Sequence, residues 1–302
     1  MNAGSPRLAN RGPDSHGRFS AIDGTSLYCE WYLPAETPRG VAVVMHGYGE
    51  HAGRYGEVAR VLTDAGLSVL AYDARGHGRS DGQRGYVDGF RDYLADFEGA
   101  IEEAQRRNRA AFALDDALPV VLVAHSNGAL VALRALADPR RAYPNVVGVV
   151  LSSPFLRLNV PVTRVKSALG RVAGRYAPKL SLPSELRIEA LTHDQDKIAA
   201  RRADPLCHDV ATARWFTAAE RAQSFVRHNI RRVTVPTLWL VAGGDRIADP
   251  EATRAVHTLL RAPSRYREFA GMHHEVFNEV DRERAFTLVR EFLTERLQDL
   301  DM

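Results

Sequence analysis

Lysine is nearly missing from this 302-residue chain: of 40 basic residues only Lys166, Lys179 and Lys197 are lysines, and the rest are arginines scattered along the sequence. Against 37 acidic residues the formal charge is +3, too small for a nucleic-acid footprint, so no nucleic-acid partner is expected. Cysteine is scarce as well. The two present, Cys29 and Cys207, lie far apart with no CxxC spacing, which excludes a disulfide scaffold and a cysteine zinc site and suits a reducing cytoplasm. No H-E-x-x-H or comparable metal spacing occurs, and neither a metal nor another cofactor is expected. Long hydrophobic runs are lacking too: the uncharged stretch Leu118 to Leu133 is too short to span a bilayer and contains His125, Ser126 and Asn127. The first seventeen residues have no apolar core of a secretory leader and read as a disordered tail.

What is present is ample apolar material. With 45% hydrophobic and 25% charged residues the chain can bury a sizeable core, and its length allows two domains or one large domain with an insertion. Short continuous apolar runs recur at Val41 to Met45, Leu67 to Tyr72, Val120 to Ala124, Val146 to Leu151, Val235 to Ala242 and Tyr266 to Phe269. Between them lie segments of helical period, such as Tyr55, Val58, Ala59 and Leu62 ahead of Gly66, or Tyr93, Leu94, Phe97, Ala100, Ile101 and Ala104. This alternation predicts an α/β fold, a mostly parallel sheet covered by helices on both faces. Phe19 to Ile22 and Leu27 to Leu33 read as antiparallel lead-in strands, and Ala285, Phe286, Val289, Phe292 and Leu293 as a terminal helix.

The alternation stops after Pro154 and resumes at Val235, far longer than a usual connection. The expected organisation is therefore a tail over 1–17, a main α/β unit from 18–154 and 235–302, and an inserted helical subdomain over 155–234. Within the insertion Val162, Val165, Leu169, Val172 and Tyr176 form an apolar stripe, with Arg164, Arg171 and Arg175 among the other residues. Such a helix either packs over the main unit or meets lipid headgroups.

The chemistry concentrates at strand ends. The strand Val120 to Ala124 runs into His125-Ser126-Asn127-Gly128 and then into a helical run, an A-x-S-x-G version of the G-x-S-x-G turn that lifts a serine hydroxyl above a sheet. A serine needs a base, and the base an orienting carboxylate, in the chain order Ser, Asp, His for this architecture. Gly243-Gly244-Asp245 follows the next-to-last strand and Gly271-Met272-His273-His274-Glu275 the last. Asp249, ahead of Pro250, reads as a helix cap, so Asp245 is the candidate acid. Spacing alone leaves His273 and His274 open. The expected oxyanion donors are the backbone N–H groups of Asn127 and of Tyr48, in the glycine-containing loop His46-Gly47-Tyr48-Gly49.

From about Phe19 to Leu297 the chain resembles the monoacylglycerol lipase and lysophospholipase branch of the α/β-hydrolases. The resemblance rests on His46-Gly47-Tyr48-Gly49-Glu50-His51 with Arg54-Tyr55, on Asp73 to Gly82, on Arg84-Gly85-Tyr86-Val87 and on the three loops above. It implies the α/β-hydrolase fold with the insertion as a cap enclosing an acyl tunnel, where Trp215 and Phe216 are candidates either for the tunnel wall or for ordinary cap packing. It implies His274 as the triad histidine and no catalytic role for His77 or Ser80. Ala124, Asn127 and Ala129 depart from the family pattern without removing a triad atom. The implied activity is a cytoplasmic serine carboxylester hydrolase that cleaves a monoacylglycerol or lysophospholipid, with peripheral membrane contact through the cap. An aminopeptidase would need a cap carboxylate, for which Glu185, Glu189 and Glu220 are the candidates; a non-catalytic ligand-binding protein is the remaining alternative.

Overall fold

The computed structural model describes residues 12–159, 172–184 and 186–298. Eight strands form one sheet: β1 (Ser15–Ser20), β2 (Ser26–Tyr32), β3 (Gly40–Met45), β4 (Leu67–Tyr72), β5 (Val120–His125), β6 (Val146–Ser152), β9 (Thr237–Ala242) and β10 (Ser264–Phe269), in the spatial order β1-β2-β4-β3-β5-β6-β9-β10. From β4 to β10 every neighbouring pair is parallel, while β1 and β2 pair antiparallel with each other and β2 with β4. Strands β3, β4, β5 and β9 are buried along their whole length, the reason their sequences show unbroken apolar runs instead of alternation.

The two faces of one strand feed two cores. Val41, Val43 and Met45 of β3 pack with Leu94 and Phe97 of α2 (Phe90–Phe112) and with Leu130 and Leu133 of α3 (Asn127–Leu136). Ala42 and Val44 pack on the opposite side with Val58 and Leu62 of α1 (Gly56–Asp64) and with Phe286 and Val289 of the last helix, Glu283–Gln298. Gly66, at φ 85°, closes the connection after α1 as its place in the sequence requires.

The edge strand corrects the reading of the N-terminus. β1 begins at Ser15, inside the stretch read as tail, because a polar edge strand carries no apolar run to announce it; its residues are mostly exposed and backbone pairing to β2 runs from Ser15 opposite Trp31.

Between β6 and β9 lie β7 (Ser181–Pro183) paired with β8 (Val210–Thr212), α4 (Gln195–Ala203) and α5 (Ala213–Asn229). Trp215, Ala218, Ala219, Ala222 and Val226 of α5 join the core cluster that contains α3. The apolar stripe expected over 162–176 lies mostly outside the described residues. Its two described members, Val172 and Tyr176, are exposed rather than packed on the main unit, in a helical stretch at 172–176. No helix among the described residues is long and apolar enough to cross a membrane. After β9, Asp249 accepts hydrogen bonds from the amides of Glu251 and Ala252 and so caps α6 (Pro250–His257), as its sequence position predicts. The terminal helix, Glu283–Gln298, is α7.

Candidate active site

Strand β5 delivers Ser126 to the carboxyl edge of the sheet, and the chain turns there at once into α3. The turn holds Ser126 at φ 50° and ψ −110°, a conformation a non-glycine residue adopts only under constraint. Both sides of the residue are fixed: its amide donates to the Ser152 carbonyl at 2.9 Å, and its carbonyl accepts from Leu130 and Phe155, each at 3.1 Å. The small flanking residues have separate reasons. A Cβ on Gly128 would lie 2.5 Å from the carbonyl oxygen of Met45 and 2.7 Å from that of His46. Ala124 sits fully buried in the strand, where its methyl is part of the core, so alanine replaces the first glycine without strain.

The candidate base and acid arrive from the two loops the sequence singles out. His274 faces Ser126 through Nε2, 2.8 Å from the serine Oγ, and Asp245 through Nδ1, 2.6 Å from Oδ2. With Nδ1–H donated to the carboxylate, Nε2 is left to accept the serine proton. Burial lowers the basicity of His274, but the Asp245 carboxylate, helped by Glu275 and Glu50, outweighs it, and the pKa ends above the ordinary histidine value. Asp245 is itself oriented: Oδ1 accepts from the amides of Ile247 (2.8 Å) and Ala248 (2.9 Å). Asn159 Nδ2 donates to the Asp245 carbonyl at 2.5 Å; nothing in the sequence marked this asparagine. Asp249, the alternative carboxylate, is spent on its helix cap and an ion pair with Arg157.

His273 is drawn elsewhere. Its amide donates to Glu279 Oε1 at 2.7 Å and its ring stacks on His193, with centroids 3.8 Å apart. His125, one residue before the serine, lies 4.8 Å from His274 between ring centroids; burial, then the neighbouring His274, brings its pKa down to about 4, so it stays neutral. His77 and Ser80 hold turns, His77 through Nδ1–H to the Arg75 carbonyl (3.0 Å) and Ser80 through its hydroxyl to the Asp73 carbonyl (2.5 Å).

The loop that carries Tyr48 runs against the serine: a Cβ on Gly47 would stand 3.3 Å from Ser126 Cβ. Residues of the insertion pin it. Tyr48 stacks on Trp215 at 3.8 Å and donates its hydroxyl to the Val210 carbonyl at 2.8 Å, while the Gly49 carbonyl accepts from Arg201 Nη2 at 3.1 Å. Trp215 also stacks on Phe155, and Phe216 is partly buried against the same core. Asn127 Oδ1 is buried beside the serine with no protein partner.

Behind the triad runs a charged network whose role the sequence did not disclose. Glu50 Oε1 accepts from the Gly47 amide (2.7 Å) and the Tyr55 hydroxyl (2.9 Å). Arg54 pairs with Glu50 and, in a two-pronged contact at 2.8 and 2.7 Å, with Glu275, the residue after His274. One guanidinium thus joins the Tyr48 loop to the histidine loop.

Strand order, helix placement and the turn at Ser126 are those of an α/β-hydrolase. The serine aminopeptidase S33 family matches residues 36–281. A phospholipase of Bacillus subtilis strain 168, YtpA, is 30% identical over 87% of this chain and 98% of its own length. A monoacylglycerol lipase of Mycolicibacterium smegmatis is 30% identical over 89% of this chain and 92% of its own. Among solved structures, the monoacylglycerol lipase of Paleococcus ferrophilus superposes with a TM-score of 0.78 at 29% identity, covering 89% of this chain and 99% of that one. The chain belongs to the serine aminopeptidase S33 family and is a hydrolase of the lipase-like kind.

Proposed function

We propose that the chain is a serine carboxylester hydrolase that cleaves single-chain lipid esters, monoacylglycerols or lysophospholipids, through an acyl-enzyme. The observation that carries this reading is the continuous relay from Ser126 Oγ through His274 to Asp245, at 2.8 and 2.6 Å. Ser126 Oγ bonds to the ester carbonyl carbon while its proton passes to His274 Nε2. The carbonyl oxygen becomes an oxyanion that the Tyr48 and Asn127 amides receive. As the tetrahedral adduct collapses, His274 returns the proton to the leaving alcohol. Water then attacks the acyl-enzyme, gives one proton to His274, and the fatty acid leaves as Ser126 regains its hydrogen.

Substrate class follows from the relatives, a phospholipase and monoacylglycerol lipases, and from the aromatic surroundings of Tyr48. We read residues 155–234 as the cap, with Trp215 and Phe216 in the wall of its acyl tunnel, because Val210, Trp215 and Arg201 hold the Tyr48 loop from that side. Such an ester resides in a lipid surface, which gives the contact foreseen for 162–176 its setting; Val172, Tyr176 and Leu180 are exposed beside Arg175 and Lys179. The free thiols Cys29 and Cys207 fit the cytoplasm. Against the aminopeptidase alternative stands Glu189, one of its candidate carboxylates, taken up by an ion pair with Arg202; of the other two, Glu220 lies on α5 and Glu185 outside the described residues.

Ser126→Ala should lower p-nitrophenyl ester hydrolysis by about 10⁶-fold, the scale of losing a triad serine, and abolish fluorophosphonate labelling. Turnover retained in that variant overturns the assignment. Faster cleavage of an aminoacyl anilide than of a monoacylglycerol by the unmodified enzyme would transfer the reading to a peptidase.

A further inference from the structure

On the far side of the turn from the triad, residues of the insertion and of the main unit converge on a second cluster. His193 precedes α4, and its Nδ1–H donates to Glu279 Oε1 at 2.8 Å. Its ring lies over that of His273, the planes 30° apart. One ring nitrogen from each histidine and a Glu279 carboxylate oxygen all fall within 4.8 Å of one another. The Glu279 carboxylate is buried, yet the amides of His193 (3.3 Å), His273 (2.7 Å) and Val280 (3.1 Å) donate to it. Nδ1 of His273 is buried and has no protein partner.

We propose that His193, His273 and Glu279 form a binding site for a divalent transition-metal ion of the zinc class. Two imidazoles and one carboxylate are the donor set of a three-ligand zinc site with a fourth position for water, whereas calcium and magnesium seek oxygen donors alone. Bond lengths of about 2.0 to 2.2 Å place tetrahedral ligand atoms about 3.3 Å apart. The His193–Glu279 contact is already within that span, and the His193 side chain, 51% exposed, can pivot to close the rest. On binding, the proton of His193 Nδ1 moves to Nε2 and the ion takes its place against Glu279. The ion would tie His193 of the insertion to the turn that carries His274. The second group with suitable donors, His51, Asp204 and Cys207, lacks this readiness. There the third donor is a thiol that burial lifts to about 11, so a tightly held proton must leave before it can take an ion.

The inference is independent of the proposed ester hydrolysis. Calorimetric titration of the untagged chain with zinc chloride alone, and cobalt(II) absorption in the visible range, test it. One ion per chain should bind, with a rise in Tm on zinc addition. His193→Ala, at a half-exposed position, should fold with a metal-free Tm lowered only by its lost bond to Glu279, His273→Phe should keep a ring over His193, and both should bind at least about tenfold more weakly. No binding at micromolar zinc, or equal binding by both variants, overturns the site; the latter result would place the ion elsewhere.

Discussion

At Ser126 the backbone holds a conformation that costs about 1–3 kcal/mol, and the bonds to Ser152, Leu130 and Phe155 sustain it. What that strain achieves is a hydroxyl aimed at one nitrogen of one histidine, and the charge on Asp245 decides how that histidine works. Burial alone would push the His274 pKa down; the carboxylate reverses the sign. An imidazolium cannot accept the serine proton, so kcat/KM should fall as pH drops through a value above the ordinary histidine pKa of about 6.5. In Asp245→Asn the largest opposing charge is gone, and burial weighs more against the remaining pull of Glu275 and Glu50. The acid limb should move to lower pH, and kcat should fall by about 10⁴-fold because the ring loses its tautomer control. A pH–rate profile with p-nitrophenyl butyrate checks both; an unmoved acid limb would remove Asp245 as the charge partner. Ser126 and Asp245 were legible as residues at strand ends, one in a turn motif and the other immediately after a strand. His274 was not separable from His273 by spacing, because the choice depends on which way each ring points. The contact of His273 with Glu279 and His193 sets that direction, and both partners lie outside the motif.

At the scale of elements, the junction of β5 and α3 depends on how closely the helix approaches the end of β3. Gly128 is where they meet, within van der Waals distance of two carbonyl oxygens that also lead into the Tyr48 loop. Gly128→Ala must push α3 away from Met45 and His46. It should cost about 1–3 kcal/mol by overpacking and lower kcat more than KM, since the proposed oxyanion donors, the Tyr48 and Asn127 amides, sit on the two sides of that contact. Ala124→Gly, inside the strand, should lose only about 0.5–1 kcal/mol and leave kcat unchanged. Urea unfolding with ester kinetics separates the two; a harmless Gly128→Ala would show that the contact is not what sets the spacing. The buried parallel strands were readable because both faces are apolar, which turns a strand into an unbroken run. β1 was misplaced at its start because an edge strand obeys no such rule: its exposed residues match the polarity of a tail. The insertion announced itself only as a gap between strands, and its contacts with Tyr48 depend on tertiary packing that no local pattern encodes.

Across the whole molecule, the loops from opposite parts of the chain are joined by buried charge. Glu50, Arg54 and Glu275 are all buried, or nearly so, and Arg54 is the shared partner. The motif residues Glu50 and Arg54 were visible in the sequence, but Glu275 as their partner was not, since more than 200 residues separate it from Arg54. Burial alone would raise the pKa of either glutamate; the Arg54 guanidinium holds both below the ordinary carboxylate range. A carboxylate with a depressed folded pKa contributes stability that is present above the unfolded value, near 4.3, and lost as pH falls through the folded one. Arg54→Met reverses this. With the guanidinium gone, two buried carboxylates repel each other and burial raises their pKa values, so the variant is least stable where both must ionise. At pH 7 it should be about 3–5 kcal/mol less stable than the unmodified protein, chiefly from Glu50, which loses its ion pair, while Glu275 keeps a longer contact with Arg201 at 3.8 Å. As pH falls toward 4, protonation relieves the variant while the unmodified network gains nothing, and the gap should narrow. Guanidinium unfolding at pH 7 and at pH 4.5 measures it; a gap below about 1 kcal/mol at pH 7, or one that stays constant, would show that the loops are held by packing and not by this pair of ionic bonds.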